Sequence, residues 1–333
     1  MSGYFGQLTE RMSRFREEVL SAKSKVCAER AVYTTESYQE NLDKPVILKR
    51  AYMLENVLKK MSIFIEKDTL IVGNQASENR AAPIFPEYAM DWVIKELDEF
   101  EQRDGDIFYI TEETKQQLRE ITPFWKHNTT KERGLAAMPP ASKVFYDLGI
   151  IKAEGNITSG DAHIAVDYGR LMKYGLKDYK QRTLALMDSL DLTDYKNLKK
   201  LYFYQSIIIV IDATVAFAKR YADLATYMAG EETNPMRATE LREIARILTK
   251  VPCEPADSFY EAVQSMWLVH LVLQIESNGH SLSYGRMDQY LYPYYKKDIE
   301  VGLLTENGAV ELLTNLWIKT LTINKIRSWS HTQ

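Results

Sequence analysis

The sequence predicts a mainly helical α/β protein with a few short strands, and three observations carry that prediction. Apolar residues recur at three- and four-residue steps through most of the chain. Extended or glycine-punctuated stretches are few and short. No internal repeat, low-complexity tract or shift in composition marks a boundary, so residues 1–333 read as one unit.

Each element follows from local pattern. Residues 8–31 carry apolar side chains at helical spacing with Arg, Glu and Lys between them. Asp43 is placed to cap a helix over 45–61, with Pro45 in the first turn. Residues 69–73 (Thr-Leu-Ile-Val-Gly) read as a short strand or extended segment. Residues 86–103 look like an amphipathic helix, and Thr111 opens another with Glu112 and Glu113 suited to the helix dipole. Residues 128–159, with Pro139, Pro140 and several glycines, read as loops and short strands. A long helix over 194–228 carries Ile207-Ile-Ile-Val-Ile211, too apolar all round for a surface. Helices over 239–250, 258–276 and 307–324 complete the pattern, with a break at Pro252-Cys-Glu-Pro255.

Composition excludes several classes. There are 42 basic against 46 acidic residues, a formal charge of −4, so neither nucleic acid nor an anionic membrane is an expected partner. The run from Ile207 to Ile211 is far short of the roughly 20 residues of a membrane span. The first residues, Met1-Ser-Gly-Tyr-Phe5, lead into a charged stretch without a signal-peptide apolar core. Cys27 and Cys253 build no disulfide framework, and a reducing cytoplasm is expected. The final residues, 323–333, have no capping glycine or polar tail, and much apolar helix surface is left to cover; a natural end and a shortened chain are equally compatible with this.

The most informative segment runs from Ile275 to Tyr290. It places Glu276-Ser-Asn-Gly-His-Ser281 between the apolar Met266-Trp-Leu-Val-His-Leu-Val-Leu273 and the aromatic Tyr290-Leu-Tyr-Pro-Tyr-Tyr295. A polar run between two core-like segments is drawn inside, where each donor and acceptor needs a partner. His280 and Ser281 are neighbours, so on an extended segment they point to opposite faces and cannot form a nucleophilic dyad. The alternative is an ion-pair network of Glu276, Arg286 and Asp288 with His280 as a structural member. His163 ends Gly155-Asn-Ile-Thr-Ser-Gly-Asp-Ala-His163, just before an extended stretch and a helix beginning near Asp167. It is either a hydrogen-bonded turn histidine or a group beside a substrate that approaches the backbone. His270, in the middle of a helix, reads as a satisfied core histidine, and His127 and His331 as solvated. No zinc spacing, phosphate loop or dinucleotide fingerprint is present, and no bound cofactor or metal is expected.

These blocks resemble the glycyl radical enzymes, the pyruvate formate-lyase-like superfamily, and most closely its B12-independent glycerol/propanediol dehydratase branch. The resemblance runs through Glu29-Arg-Ala31, Asp68-Thr-Leu-Ile-Val-Gly73, Phe85-Pro-Glu87, His163-Ile-Ala-Val-Asp-Tyr-Gly169, Ser258-Phe-Tyr-Glu-Ala262, Gly285-Arg-Met-Asp-Gln-Tyr290 and Ile323-Asn-Lys325. It implies the N-terminal portion of a ten-stranded α/β barrel, with 1–333 an incomplete pyruvate formate-lyase-like domain. The family's Gly-Cys-Val-Glu-like and Arg-Val-Ser-Gly-like radical loops have no counterpart in this sequence. Cys27-Ala-Glu29 imitates the first spacing but is expected within the N-terminal helix, as a decoy. By motif match the resemblance places His163, His280 and Ser281 against a small polyol, with Asp161 as a pocket group or a turn-former. It implies a dehydratase or C–X lyase of anaerobic metabolism, active as a homodimer and switched on by an S-adenosylmethionine iron–sulfur activase. The chain alone is expected to be inactive. Departures in Ile157-Thr-Ser-Gly-Asp-Ala162 leave the substrate open among diols and the substrates of related lyases. A non-catalytic helical scaffold, a split subunit and a polyol-binding protein are the rivals.

Overall fold

A computed structural model describes residues 8–152, 157–158, 160, 162–279 and 281–329. Helix α1 (Glu10–Ser21) is capped by Thr9, whose side chain accepts from the Met12 amide. Its Met12, Phe15 and Val19, on one face, bury against Ile318. The expected helix over 8–31 stops there. Strand β1 (Lys25–Cys27) interrupts it, because the Lys25 and Val26 amides donate to the carbonyls of Arg80 and Tyr109. Cys27 therefore lies on a strand, not in the N-terminal helix. Helix α2 (Glu29–Glu40) follows.

Helix α3 (Val46–Lys60) has Pro45 itself at the N-cap; Asp43 does not cap it and pairs with Lys44. Strand β2 (Ala81–Pro83) runs parallel to β1, with Val26 opposite Ala82. The helix expected over 86–103 shrinks to α4 (Asp91–Glu96) and a single 3-10 turn, because buried ties described below hold 84–87 outside it. Helix α5 (Glu112–Trp125) begins at the Thr111 cap. The stretch over 128–159 is less irregular than its glycines suggest. It holds α6 (Thr130–Ala136), opened by a Thr129–Glu132 capping box, and α7 (Pro140–Asp147), with Pro140 in the first turn.

Strand β3 (His163–Ala165) leads into α8 (Tyr168–Asp188), capped by Asp167. Helix α9 (Leu198–Glu231) packs against α3 and against α10 (Pro235–Lys250). By length and composition the helical stretch Tyr195–Glu231 would suffice to cross a membrane, contrary to expectation from its isoleucine run alone. Core helices of water-soluble proteins pass the same test, and Phe217, Ala218, Tyr221, Ala222 and Ala225 of α9 are buried in the main core. Ile207 to Val210 are only half-buried, so the run is not enclosed all round. Helix α11 (Phe259–Glu276) is enclosed on nearly every side, with Trp267, Leu268 and Leu271 fully buried. Strand β4 (Ser281–Ser283) pairs with β3, and α12 (Met287–Glu300) and α13 (Glu306–Thr320) close the order.

The two strand pairs are separate two-stranded sheets; the described residues form no closed barrel. One large core joins α3, α8 to α13 and residues 70–72, and a smaller one surrounds β1, β2, α4 and α5. Residues 69–73 form no strand; the backbone bends at Leu70 and Ile71. Side chains replace a partner strand: Asn315 Oδ1 accepts from the Leu70 and Ile71 amides, and the Gln264 amide pairs with both the N–H and C=O of Val72. Nearby, Lys319 and Glu66 form an ion pair at 2.6 Å with side-chain exposures of 0% and 1%.

Candidate functional site

The fold brings His163 and Ser281 side by side. In the β3–β4 register His163 faces Ser281, Ile164 faces Leu282 and Ala165 faces Ser283. Paired residues of a ladder project from the same face, so the imidazole and the hydroxyl share one side of the pair. All three residues of β3 are exposed, as are Ser281 and Ser283 of β4. Asp161 and His280 lie outside the described residues.

The strands meet this closely because Gly279 permits it. A Cβ on Gly279 would stand 2.7 Å from the Ala162 Cβ and 2.9 Å from its carbonyl oxygen. The Ser281 amide donates to that carbonyl at 3.3 Å. The polar run is only partly drawn inside: Ser277, Asn278 and Gly279 are buried, and the chain emerges at Ser281.

Before the strands lies a charged cluster. Arg30, just after β1, donates to Glu87 at 2.6 and 3.0 Å, to the Ile275 carbonyl at 2.7 Å and to the Glu276 carbonyl at 3.2 Å. Its guanidinium lies 3.7 Å from the Phe85 ring centroid. Burial acts against the Glu87 carboxylate, yet Arg30 and Arg50 together hold it below its ordinary range. Glu276 pairs with Arg50 of α3, and Arg286 meets Asp288 only at 3.9 Å on the exposed surface. Among the described residues, Glu276 therefore joins Arg50 rather than Arg286 and Asp288; His280, the remaining member of the alternative network, lies outside them.

Beyond the strands lies an aromatic cluster. Tyr168 follows β3 and Tyr284 follows β4, and both pack on His270 of α11. The Tyr168 hydroxyl meets His270 Nδ1 at 3.0 Å, Gln274 Nε2 meets its Nε2 at 3.2 Å, and the Tyr284 ring centroid is 4.3 Å away. Burial, helped by the Lys325 charge, lowers His270 to a pKa of about 4, so it is neutral at ordinary pH. His270 is the core histidine that its place in the apolar helix predicts. His127 is largely exposed, as expected, and His331 lies outside the described residues.

Sequence reasoning missed Arg50, Tyr88, Tyr168 and Tyr284 as parts of this arrangement. The signal for the two later tyrosines was their short distance past His163 and Ser281. Arg50 and Tyr88 had none, because they come from distant segments. Neither cysteine belongs to the strand pair: Cys27 is buried on β1 beside Ser77, and Cys253 lies in the turn after α10. Burial raises both thiols, which disfavours thiolate formation.

With this geometry in hand, comparison with known proteins decides the family. The family model for pyruvate formate lyase-like proteins matches residues 8–333. The chain belongs to the pyruvate formate lyase-like family. It is 44% identical over 312 residues to the probable dehydratase YbiW of Escherichia coli K12, covering 93% of this chain and 38% of that protein. The glycerol-bound B12-independent glycerol dehydratase of Clostridium butyricum superposes with a TM-score of 0.95 at 36% identity, over 100% of this chain and 42% of that one. A glycyl radical enzyme of Archaeoglobus fulgidus matches with a TM-score of 0.90 at 34% identity, over 96% of this chain and 41% of that one. The chain thus spans about two fifths of the length of these relatives.

Proposed function

We propose that this chain is the N-terminal part of a cytoplasmic glycyl radical dehydratase or related C–X lyase, and that its β3–β4 pair forms one wall of a small-polyol site. The observation that carries the reading is the open pairing of His163 with Ser281. It puts an imidazole and a hydroxyl on one accessible face, at the spacing of neighbouring strands, which is about 4.8 Å. Two adjacent hydroxyls of a diol match two polar groups so spaced.

In this reading His163 accepts or shares the proton of the C1 hydroxyl, and Ser281, with His280, holds the C2 hydroxyl that departs as water. Asp161 is a further pocket group on the segment leading into β3. These groups position rather than accelerate: a reactive substrate held loosely reacts with whatever lies nearest. Hydrogen abstraction would be supplied by a cysteine and a glycyl radical outside the matched portion, installed by an S-adenosylmethionine iron–sulfur activase. Residues 1–333 then constitute an incomplete pyruvate formate-lyase-like domain, and the full-length enzyme is a homodimer.

The test uses the purified chain with 13C-labelled histidine. Glycerol and propane-1,2-diol should shift the His163 resonances saturably, without any dehydration product, and Ser281→Ala should weaken that response. A His163 response that ignores Ser281→Ala would overturn the reading, as would turnover by the chain alone.

A further inference from the structure

The β3–β4 pair has only two strands, and two-stranded sheets are marginal by themselves. Something outside the ladder must set its register, and a slip of one residue would turn His163 away from Ser281. The approach to β3 passes Gly160, and the approach to β4 starts at Glu276. Both converge on one side chain pair from elsewhere. The Tyr88 ring stands where a Cβ on Gly160 would be, so β3 enters flush against it. Arg50 of α3 donates to the Tyr88 hydroxyl at 3.3 Å, with its guanidinium 5.9 Å from the ring centroid, and pairs with Glu276.

We infer that Arg50 is a positioning residue that clamps the leads of both strands together and so fixes the His163–Ser281 register. Arg30 cannot fill this role separately, because it is buried and bound into the core with Glu87. The Arg50–Glu276 pair is different: each side chain is 31% exposed, so the pair stands at the edge of the core rather than inside it. What it contributes is geometry. Arg50 meets Glu276 at the head of one strand lead and Tyr88, whose ring packs on the other, and its own helix, α3, anchors both to the main core. A single guanidinium nitrogen, Arg50 Nη2, donates to both the Glu276 carboxylate and the Tyr88 phenol. That the register serves a polyol rests on the function proposed above; the clamp itself rests on the contacts.

The test separates the two. Amide hydrogen exchange is followed at Ser281, bonded to Ala162, and at Val26, bonded to Tyr109, as an internal control. In Arg50→Gln, Ser281 should exchange about tenfold faster while Val26 is unchanged. Arg50→Lys should be intermediate, and the charge-exchanged double variant Arg50→Glu/Glu276→Arg should recover most of the protection. The glycerol-induced shift of His163 should weaken in the same order while Val26 stays protected, which a merely stabilising residue would not produce. Unchanged Ser281 exchange in folded Arg50→Gln overturns the clamp. If Arg50→Gln does not fold, Glu276→Gln and Tyr88→Phe carry the same expectation, and unchanged exchange in both overturns it too. Faster exchange in a chain whose wild type ignores glycerol keeps the clamp and removes the polyol reading.

Discussion

The described residues contain two parallel strand pairs of the same length, and they are built in opposite ways. In β1–β2 every residue but Lys25 is buried, and the pair sits in a core with Ile84, Phe100, Phe108 and Trp125. In β3–β4 every residue but the half-buried Leu282 is exposed. Parallel pairing is ordinarily found where both faces are covered. The first pair obeys that rule and the second breaks it. A fold keeps such a departure at places where the exposed groups have work to do, and the exposed pair is the one that carries His163 and Ser281. The difference extends to the supports. β1–β2 is held by apolar burial, whereas β3–β4 is held at its ends, by Arg30, Arg50 and Glu276 before it and by Tyr168, His270 and Tyr284 after it.

The largest expected effect links the two pairs. Arg30 follows β1, its partner Glu87 follows β2, and its remaining donors hold the carbonyls that lead to β4. Arg30→Met leaves Glu87 buried without its nearest partner and should destabilise the chain by about 3–5 kcal/mol in urea unfolding. The joint replacement Arg30→Met/Glu87→Leu should recover much of that loss. A single variant that loses less than the double one would break this account.

Next comes a direct contrast. Ile84, just past β2, is 1% exposed, and Ile164, in β3, is 43% exposed. Ile84→Ala should lose about 2–5 kcal/mol, and Ile164→Ala no more than about 0.5 kcal/mol. Equal losses would show that β3 is as enclosed as β1 in solution, and the contrast between the pairs would collapse.

The third effect depends on pH. His270 is neutral in the fold with a pKa of about 4, against the ordinary 6.5 of the unfolded chain. The unfolded state therefore binds the extra proton between these values. Stability should fall as pH drops from 6.5 to about 4 and be lost no further by this group below that, a total of up to about 3 kcal/mol. Carboxylates held low by their partners, Glu87 and Glu261, lose their contribution at the acid end of the range. The part between pH 6.5 and 5 is therefore diagnostic of His270. His270→Gln should flatten it, and an unchanged slope there would sink the assignment.

The smallest effect on stability is expected at the candidate site. His163→Ala and Ser281→Ala should each stay within about 0.5 kcal/mol of wild type, while Ser281→Ala weakens the glycerol-induced shift of His163. Substantial unfolding on either change would turn the pair from a site into a structural element.

Much of this architecture was legible residue by residue. The caps at Thr111, Asp167 and Ser258 mark helix starts, and the uninterrupted apolar character of α11 predicts its burial and a satisfied His270. His163 and Ser281 stood out because polar, glycine-bearing runs broke apolar ones. The misses share a cause. Residues 24–28 continue a helical pattern, but carbonyls from Arg80 and Tyr109 offer the Lys25 and Val26 amides a better set of partners. Residues 86–90 also suit a helix, yet the buried Arg30–Glu87 pair anchors them otherwise. Conversely, α6 and α7 were overlooked although the Thr129–Glu132 box and Pro140 announce both, since nearby glycines and prolines suggested loops.

The amino-acid sequence by itself determined what short-range physics can determine: helix content, most helix starts, which helix lies deepest, the candidate side chains, and, by its ordered blocks, the family. Only the tertiary structure decided which of those side chains meet. Helical hydrogen bonds and caps join residues a few positions apart, so their cause is written locally. A parallel ladder joins residues far apart in the chain, and its register depends on everything that closes the loop between them. Nothing local to His163 points to Ser281. Their meeting depends on Gly279 passing Ala162, on Tyr88 beside Gly160, and on Arg50 reaching Glu276.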